Sequence, residues 1–166
     1  MACGLGADLR AVREGLQAVR PVPMRMTLER WNGIGIINDA YNANPASMEA
    51  ALKTLAEMKA GREKMAVLGD MLELGGESAE RHLELGKQAA RYRVDRLYLL
   101  GKRAPQVKRG ALLGGMEKER VTIGKNHRNI ARMIHLQAKR GDWLLFKGSR
   151  GMKMEKVLES LKEIGG

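Results

Sequence analysis

Residues 31–47 read Trp31-Asn32-Gly33-Ile34-Gly35-Ile36-Ile37-Asn38-Asp39-Ala40-Tyr41-Asn42-Ala43-Asn44-Pro45-Ala46-Ser47. Asn-Gly between two extended runs predicts a tight hairpin, with strands over residues 24–30 and 33–39. The second run is apolar and ends on a carboxylate. Pro45 fits the first turn of a helix, where its missing N–H costs little. Met48, Ala51, Leu52, Leu55 and Met58 then share one face of a helix predicted over residues 45–59. An apolar strand that passes straight into an amphipathic helix is the opening unit of a parallel sheet covered by helices.

The unit recurs downstream. Short apolar strands are predicted over 65–69, 96–100, 120–123 and 143–146. Helices are predicted over 77–92, 102–110, 126–140 and 152–164. The expected fold class is α/β: a mostly parallel sheet with helices on both faces and a β-hairpin at its N-terminal side. Upstream, Leu9, Val12, Leu16 and Val19 share a face of a short helix over 8–19, capped by Asp8 and stopped by Pro21 and Pro23. A core that begins at Met24 does not require this helix. Residues 1–22 therefore read as the tail of something upstream, and 23–166 as the domain.

Composition narrows the classes. The chain has 166 residues, enough for one good core and too few for two large ones. Hydrophobic residues make up 44%, which excludes a disordered chain. Aromatics are only 4%, so the core must be aliphatic, with the 11 methionines filling its gaps. A lone cysteine, Cys3, rules out a disulfide framework and reads as an incidental thiol. No run approaches the roughly 18 apolar residues of a membrane span, and the first residues lack a signal peptide's charged and apolar regions. A soluble, cytoplasmic protein is expected. The net charge of +11 raises nucleic-acid binding. However, the basic residues are spread along the chain, and the aromatics do not interleave with them. A solvated surface facing a polyanionic small substrate is the preferred reading, with no nucleic-acid partner.

In parallel sheets, ligands sit outside the carboxyl ends of the strands, so the strand-to-helix loops are the candidate sites. In the first loop Asp39 could accept from ribose hydroxyls, and Tyr41, Asn42 and Asn44 offer a ring and two amides. Asp39 and Asn44 could equally be turn and cap residues. The second loop, Leu68-Gly69-Asp70-Met71-Leu72-Glu73-Leu74-Gly75, could form a ligand wall or simply lead into a helix. The third is Phe146-Lys147-Gly148-Ser149-Arg150-Gly151-Met152-Lys153-Met154-Glu155. Its Lys147 and Arg150 could hold a carboxylate or phosphate. His82, His127 and His135 lack metal-ligand spacing and are expected on the surface. There is no Gly-x-x-x-x-Gly-Lys-Ser/Thr loop and no Gly-x-Gly-x-x-Gly turn.

Together and in this order, the three loops resemble the C-terminal domain of a Mur ligase, from about Arg20 to the end. Within that family they look like the member that adds a dipeptide rather than a single amino acid. The resemblance implies a Rossmann-like fold in a three-domain, ATP-dependent amide ligase. Such an enzyme phosphorylates the terminal carboxylate of UDP-MurNAc-tripeptide, and the amine of D-alanyl-D-alanine then attacks the acyl phosphate. It implies ATP-binding roles for Arg25, Asp39, Tyr41, Asn42, Asn44 and Pro45. It also implies that Asp70, Leu72, Glu73, Gly148, Ser149 and Arg150 face the acceptor. ATP and Mg²⁺ are the implied cofactors, with the metal site and the P-loop mainly on a central domain. No metal ligand and no complete catalytic set are expected here, so the chain alone should be inactive. The ligase is expected to be a monomer. Asp39→Ala is expected to weaken ATP use with little change in stability.

Overall fold

The computed structural model describes Asp8, residues 22–59 and residues 61–166. The helix expected over 8–19, together with Cys3 and Pro21, lies outside these residues apart from Asp8 itself.

The hairpin forms as its sequence predicts. Strands β1 (Thr27–Trp31) and β2 (Ile34–Asp39) pair antiparallel, closing at Trp31 opposite Ile34. Asn32 and Gly33 have φ of 50° and 80°, the two positive values that a type I′ turn needs. β1 starts three residues later than expected. Met24 and Met26 have φ of 60° and 50°, so this segment cannot be extended. It curls instead over the end of β2, where the Tyr41 N–H donates to the Met24 carbonyl at 3.0 Å.

The chain continues through helix α1 (Pro45–Glu57), β3 (Lys64–Gly69), α2 (Ser78–Arg91), β4 (Arg96–Leu100), α3 (Ala104–Leu113), β5 (Val121–Ile123), α4 (His127–Gln137), β6 (Trp143–Lys147) and α5 (Glu155–Ile164). Differences from the expected bounds have local causes. α2 is preceded by a 3-10 turn at Gly75–Glu77. α3 starts with Pro105 in its first turn and runs past Gly110 to Leu113. Ala138, with extended backbone, ends α4 early. Before α5, Lys153 is left-handed between a 3-10 turn at Arg150–Met152 and the helix.

The sheet order is β1-β2-β6-β3-β4-β5, with every pair after the hairpin parallel. Alternate residues of the inner strands β2, β6, β3 and β4 feed two cores. Ile37, Ala66, Leu68, Leu97, Leu99 and Leu145 face α1, α2 and α3. Ile36, Met65, Val67, Tyr98, Leu144 and Phe146 face α4 and α5. Large aliphatic side chains that are fully buried here contribute about 1.5–3 kcal/mol each. α2 and α3 cross at a glycine contact. A Cβ on Gly86 would lie 2.0 Å from the Val107 carbonyl oxygen, and one on Gly110 would lie 1.8 Å from that of Leu83.

This order places the site. β6 lies between β2 and β3. The helices that follow β2 and β3 cover one face, whereas the helix that follows β6 covers the other. Neighbouring strand ends therefore send the chain to opposite faces, and a crevice opens on each side of the end of β6.

Candidate functional site

The first crevice, between β2 and β6, is a polar cleft of about 310 Å³ lined by Arg25, Asp39, Tyr41, Asn42, Asn44, Ser47 and Lys147 among others. Asp39 is the last residue of β2 and Lys147 the last of β6, paired across the sheet. The Lys147 ammonium lies 2.5 Å from Asp39 Oδ2 and donates to the Asn42 carbonyl at 3.0 Å. Asp39 Oδ1 accepts from the Met26 N–H at 3.1 Å. The Lys147 side chain is 3% exposed and that of Asp39 14%. A carboxylate has about four lone-pair positions, so two of those on Asp39 remain for a ligand on its open side.

The walls follow from local chemistry. Asn44 caps α1: its Oδ1 accepts from the Ser47 N–H at 2.8 Å, and Ser47 Oγ accepts from the Asn44 N–H at 3.0 Å. This capping box fixes the first turn, with Pro45 at its start, as one side of the cleft. Above it, the Arg25 guanidinium lies 4.2 Å from the Tyr41 ring centre. Arg25 pairs with no carboxylate among the described residues, so its charge is available to an anion.

Next to Lys147, the main chain of Gly148 and Ser149 crosses to the second crevice. A Cβ on Gly148 would meet Met154 at 2.7 Å and Gly69 at 3.1 Å, so only glycine lets the β6 and β3 ends come this close. Ser149 is 4% exposed and binds two loops. Its N–H donates to the Asp70 carbonyl at 3.0 Å, its Oγ accepts from the Leu72 N–H at 2.8 Å, and its hydroxyl reaches the Ala43 carbonyl at 3.3 Å. Beyond it lies a cleft of about 260 Å³ whose lining includes Asp70, Leu72, Glu73, Lys102 and Arg103. Asp70 itself is 6% exposed. Its carboxylate accepts from the Lys102 N–H at 2.8 Å and the Arg103 N–H at 3.1 Å, where it ties down the lead into α3.

The Mur ligase, glutamate ligase domain family matches this chain over residues 24–150. The chain belongs to the Mur ligase family. It is 38% identical over 151 residues to the UDP-N-acetylmuramoyl-tripeptide–D-alanyl-D-alanine ligase of Bacillus subtilis, covering 90% of this chain and 33% of that protein. To the Escherichia coli ligase of the same name it is 33% identical, over 99% of this chain and 35% of the relative. The chain thus spans about a third of the length of the curated relatives it matches. Among solved structures, MurF from Thermotoga maritima in complex with ADP superposes with a TM-score of 0.79 at 28% identity, over 98% of this chain and 35% of that one. A MurF from Acinetobacter baumannii gives 0.82 at 28% identity, with the same coverage.

On this Mur ligase domain, the six residues assigned to the nucleotide all lie at or beside the first cleft, with Pro45 opening α1. The six assigned to the acceptor divide. Leu72 and Glu73 are exposed on the second cleft, and Glu73 has a φ of 64°. Asp70 and Ser149 are buried and held by protein partners. Gly148 serves the close approach of two strand ends. Arg150 lines neither cleft: its side chain is 53% exposed, 2.9 Å from Glu155 and 3.5 Å from Met24 Sδ on the nucleotide side. The pairing of Lys147 with Asp39 overturns one expectation. Asp39→Ala would strand a buried ammonium, so it cannot leave stability unchanged. The histidines need correction too. His82 is fully buried, accepting from the Met71 N–H at Nε2 (2.9 Å), with Nδ1 2.6 Å from the Ser78 carbonyl. With Nε2 accepting, the hydrogen-bond pattern assigns the N–H to Nδ1. His127 is half-buried against the Met152 carbonyl, and only His135 is exposed. Lys102 and Arg103 went unassigned because they follow β4, whose loop carries no motif. Among the described residues, no group of three His, Cys, Asp or Glu side chains could hold a metal. No helix among them is long and apolar enough to cross a membrane.

Proposed function

We propose that this chain is the closing domain of an ATP-dependent amide ligase that adds D-alanyl-D-alanine to UDP-MurNAc-tripeptide in peptidoglycan precursor synthesis. The observation that carries this reading is the β2–β6 cleft of a Mur ligase domain. There a carboxylate, a stacked arginine without a carboxylate partner and a capped helix N-terminus converge at a switch point.

Each part has a task in the chemistry. A carboxylate is a poor electrophile, so the terminal carboxylate oxygen of the tripeptide attacks the γ-phosphorus of ATP and ADP leaves. The amine of the dipeptide then attacks the acyl-phosphate carbon, and the tetrahedral intermediate collapses to an amide, releasing phosphate and a proton. Arg25 is suited to bind phosphate oxygens bidentately while Tyr41 supports its other face. The free lone pairs of Asp39 suit ribose hydroxyls. The second cleft, with Lys102 and Arg103 beside Glu73, suits an acceptor that carries both an amine and a carboxylate. Closure of this domain over the reaction would exclude the water that competes for the acyl phosphate. The described residues offer no fit for Mg²⁺, and no step here uses it. In this reading the ion and the P-loop belong to the rest of the ligase, which works as a cytoplasmic monomer.

Dipeptide addition, rather than addition of a single amino acid, is supported by the Tyr-Asn-Ala-Asn-Pro and Lys-Gly-Ser-Arg-Gly loops and by what the relatives' names say they join. The test is ADP release by the ligase that carries this domain, supplied with ATP, Mg²⁺ and UDP-MurNAc-tripeptide. Release should depend on D-alanyl-D-alanine. Release driven equally well by a single amino acid would overturn the dipeptide assignment.

A further inference from the structure

The Lys147-Gly148-Ser149 segment has a job that neither cleft explains alone. It sits at the end of the central strand of the crevice, and its two polar residues are 2% and 4% exposed. Both side chains are engaged chiefly by protein: Lys147 uses two of its three donors there, on the floor of the first cleft, and the Ser149 hydroxyl donates one hydrogen bond and accepts another. Lys147 holds the Asp39 carboxylate and the Asn42 carbonyl of the nucleotide-side loop. Ser149 holds the Leu72 N–H of the acceptor-side loop and, through the same hydroxyl, the Ala43 carbonyl of the nucleotide-side loop. The Asp70 carbonyl closes the bridge from the other direction.

We propose that Lys147 and Ser149 are positioning residues that couple the two clefts, so that order imposed on one loop by its ligand is passed to the other. This rests on the ligase reading above. The two loops share no direct hydrogen bond among the described residues; every polar link between residues 39–44 and 70–74 runs through this segment. A hydrogen-bonded bridge of this kind has the connectivity that linkage between sites requires. Ser149 then shapes acceptor binding without touching the acceptor. Lys147 fixes the direction of the Asp39 carboxylate from the floor of the first cleft.

The test is steady-state kinetics of the ligase that carries this domain, with ATP and D-alanyl-D-alanine varied separately. In the parent enzyme, the KM for the dipeptide should fall as ATP rises toward saturation. Ser149→Ala orphans the Leu72 N–H. It should raise the dipeptide KM about tenfold, with a much smaller change in the KM for ATP, and should abolish the dependence of one on the other. Ser149→Thr keeps the hydroxyl and should restore that dependence. Lys147→Met combined with Asp39→Asn removes both charges of the buried pair together and keeps the test available if Ser149→Ala does not fold. It should raise the KM for ATP about tenfold and also shift that for the dipeptide. A purely structural role predicts a lower Tm with both KM values and their interdependence at parental levels, and that result would overturn the coupling. Amide formation that proceeds normally in the variants sinks the bridge alone. A parent enzyme that shows no dipeptide-dependent ADP release sinks the ligase reading and the bridge's role in it together.

Discussion

Asp39 and Asp70 are the same residue type at the same kind of place, where a parallel strand gives way to its loop, yet the fold uses them differently. Asp39 ends β2 beside the switch point, takes one lysine and one N–H, and keeps an open side toward a cleft. Asp70 follows β3, whose neighbour β4 sends its helix to the same face, and there its carboxylate turns inward to the Lys102 and Arg103 amides. A strand-end aspartate is thus a ligand candidate only where its carboxylate faces loops that the topology parts; β3 borders such a crevice beside β6 too, but the Asp70 carboxylate faces the loop after β4. Where the loops run together, the carboxylate becomes a tie between them.

That contrast can be broken by mutation, and the effects on stability should fall in order. Asp39→Ala strands the buried Lys147 ammonium and should cost about 3–5 kcal/mol, seen in chemical denaturation of this chain. Asp70→Ala leaves two loop N–H groups without their acceptor and should cost about 2–3 kcal/mol, with the first cleft unaltered. The double variant Asp39→Asn with Lys147→Met removes both charges together and should cost about 1 kcal/mol or less. It nevertheless should raise the KM for ATP in the ligase at least tenfold. Arg25→Ala touches only an exposed, stacked side chain and should change stability by about 0.5 kcal/mol or less. Its effect should appear as a rise of about tenfold in the KM for ATP. An Asp70→Ala variant that lost nucleotide affinity while keeping its stability would invert the comparison.

The sequence made most of this fold legible because its strands are short, apolar and bounded by Gly or Asp, and its turn residues have one cheap conformation each. Asn32-Gly33 could hardly be anything but a hairpin turn, and Asn44-Pro45 opens α1 as expected. The turn-or-ligand choice at residues 39–47 did not have to be a choice. Asn44 is a cap, and the capped turn is a wall of the cleft. What stayed hidden depends on contacts between residues far apart in sequence. Lys147 and Asp39 are separated by 108 positions and meet only because β6 inserts beside β2. His82 reads as a polar residue on an amphipathic helix. Its burial depends on the Met71 N–H, an amide that only the tertiary fold leaves needing an acceptor. The start of β1 was missed because two methionines adopt left-handed φ, which no propensity favours.

The central claim is that the β2–β6 cleft, and not the β3–β4 cleft, takes the nucleotide. Titrating this chain with ATP while following its backbone amides by NMR tests that most directly. The account predicts weak binding, with a Kd on the order of millimolar for half a site, and shifts confined to Arg25, Met26 and residues 39–47, with an echo at Leu72 through Ser149. Shifts centred on Glu73, Lys102 and Arg103, with residues 39–47 silent, would contradict it.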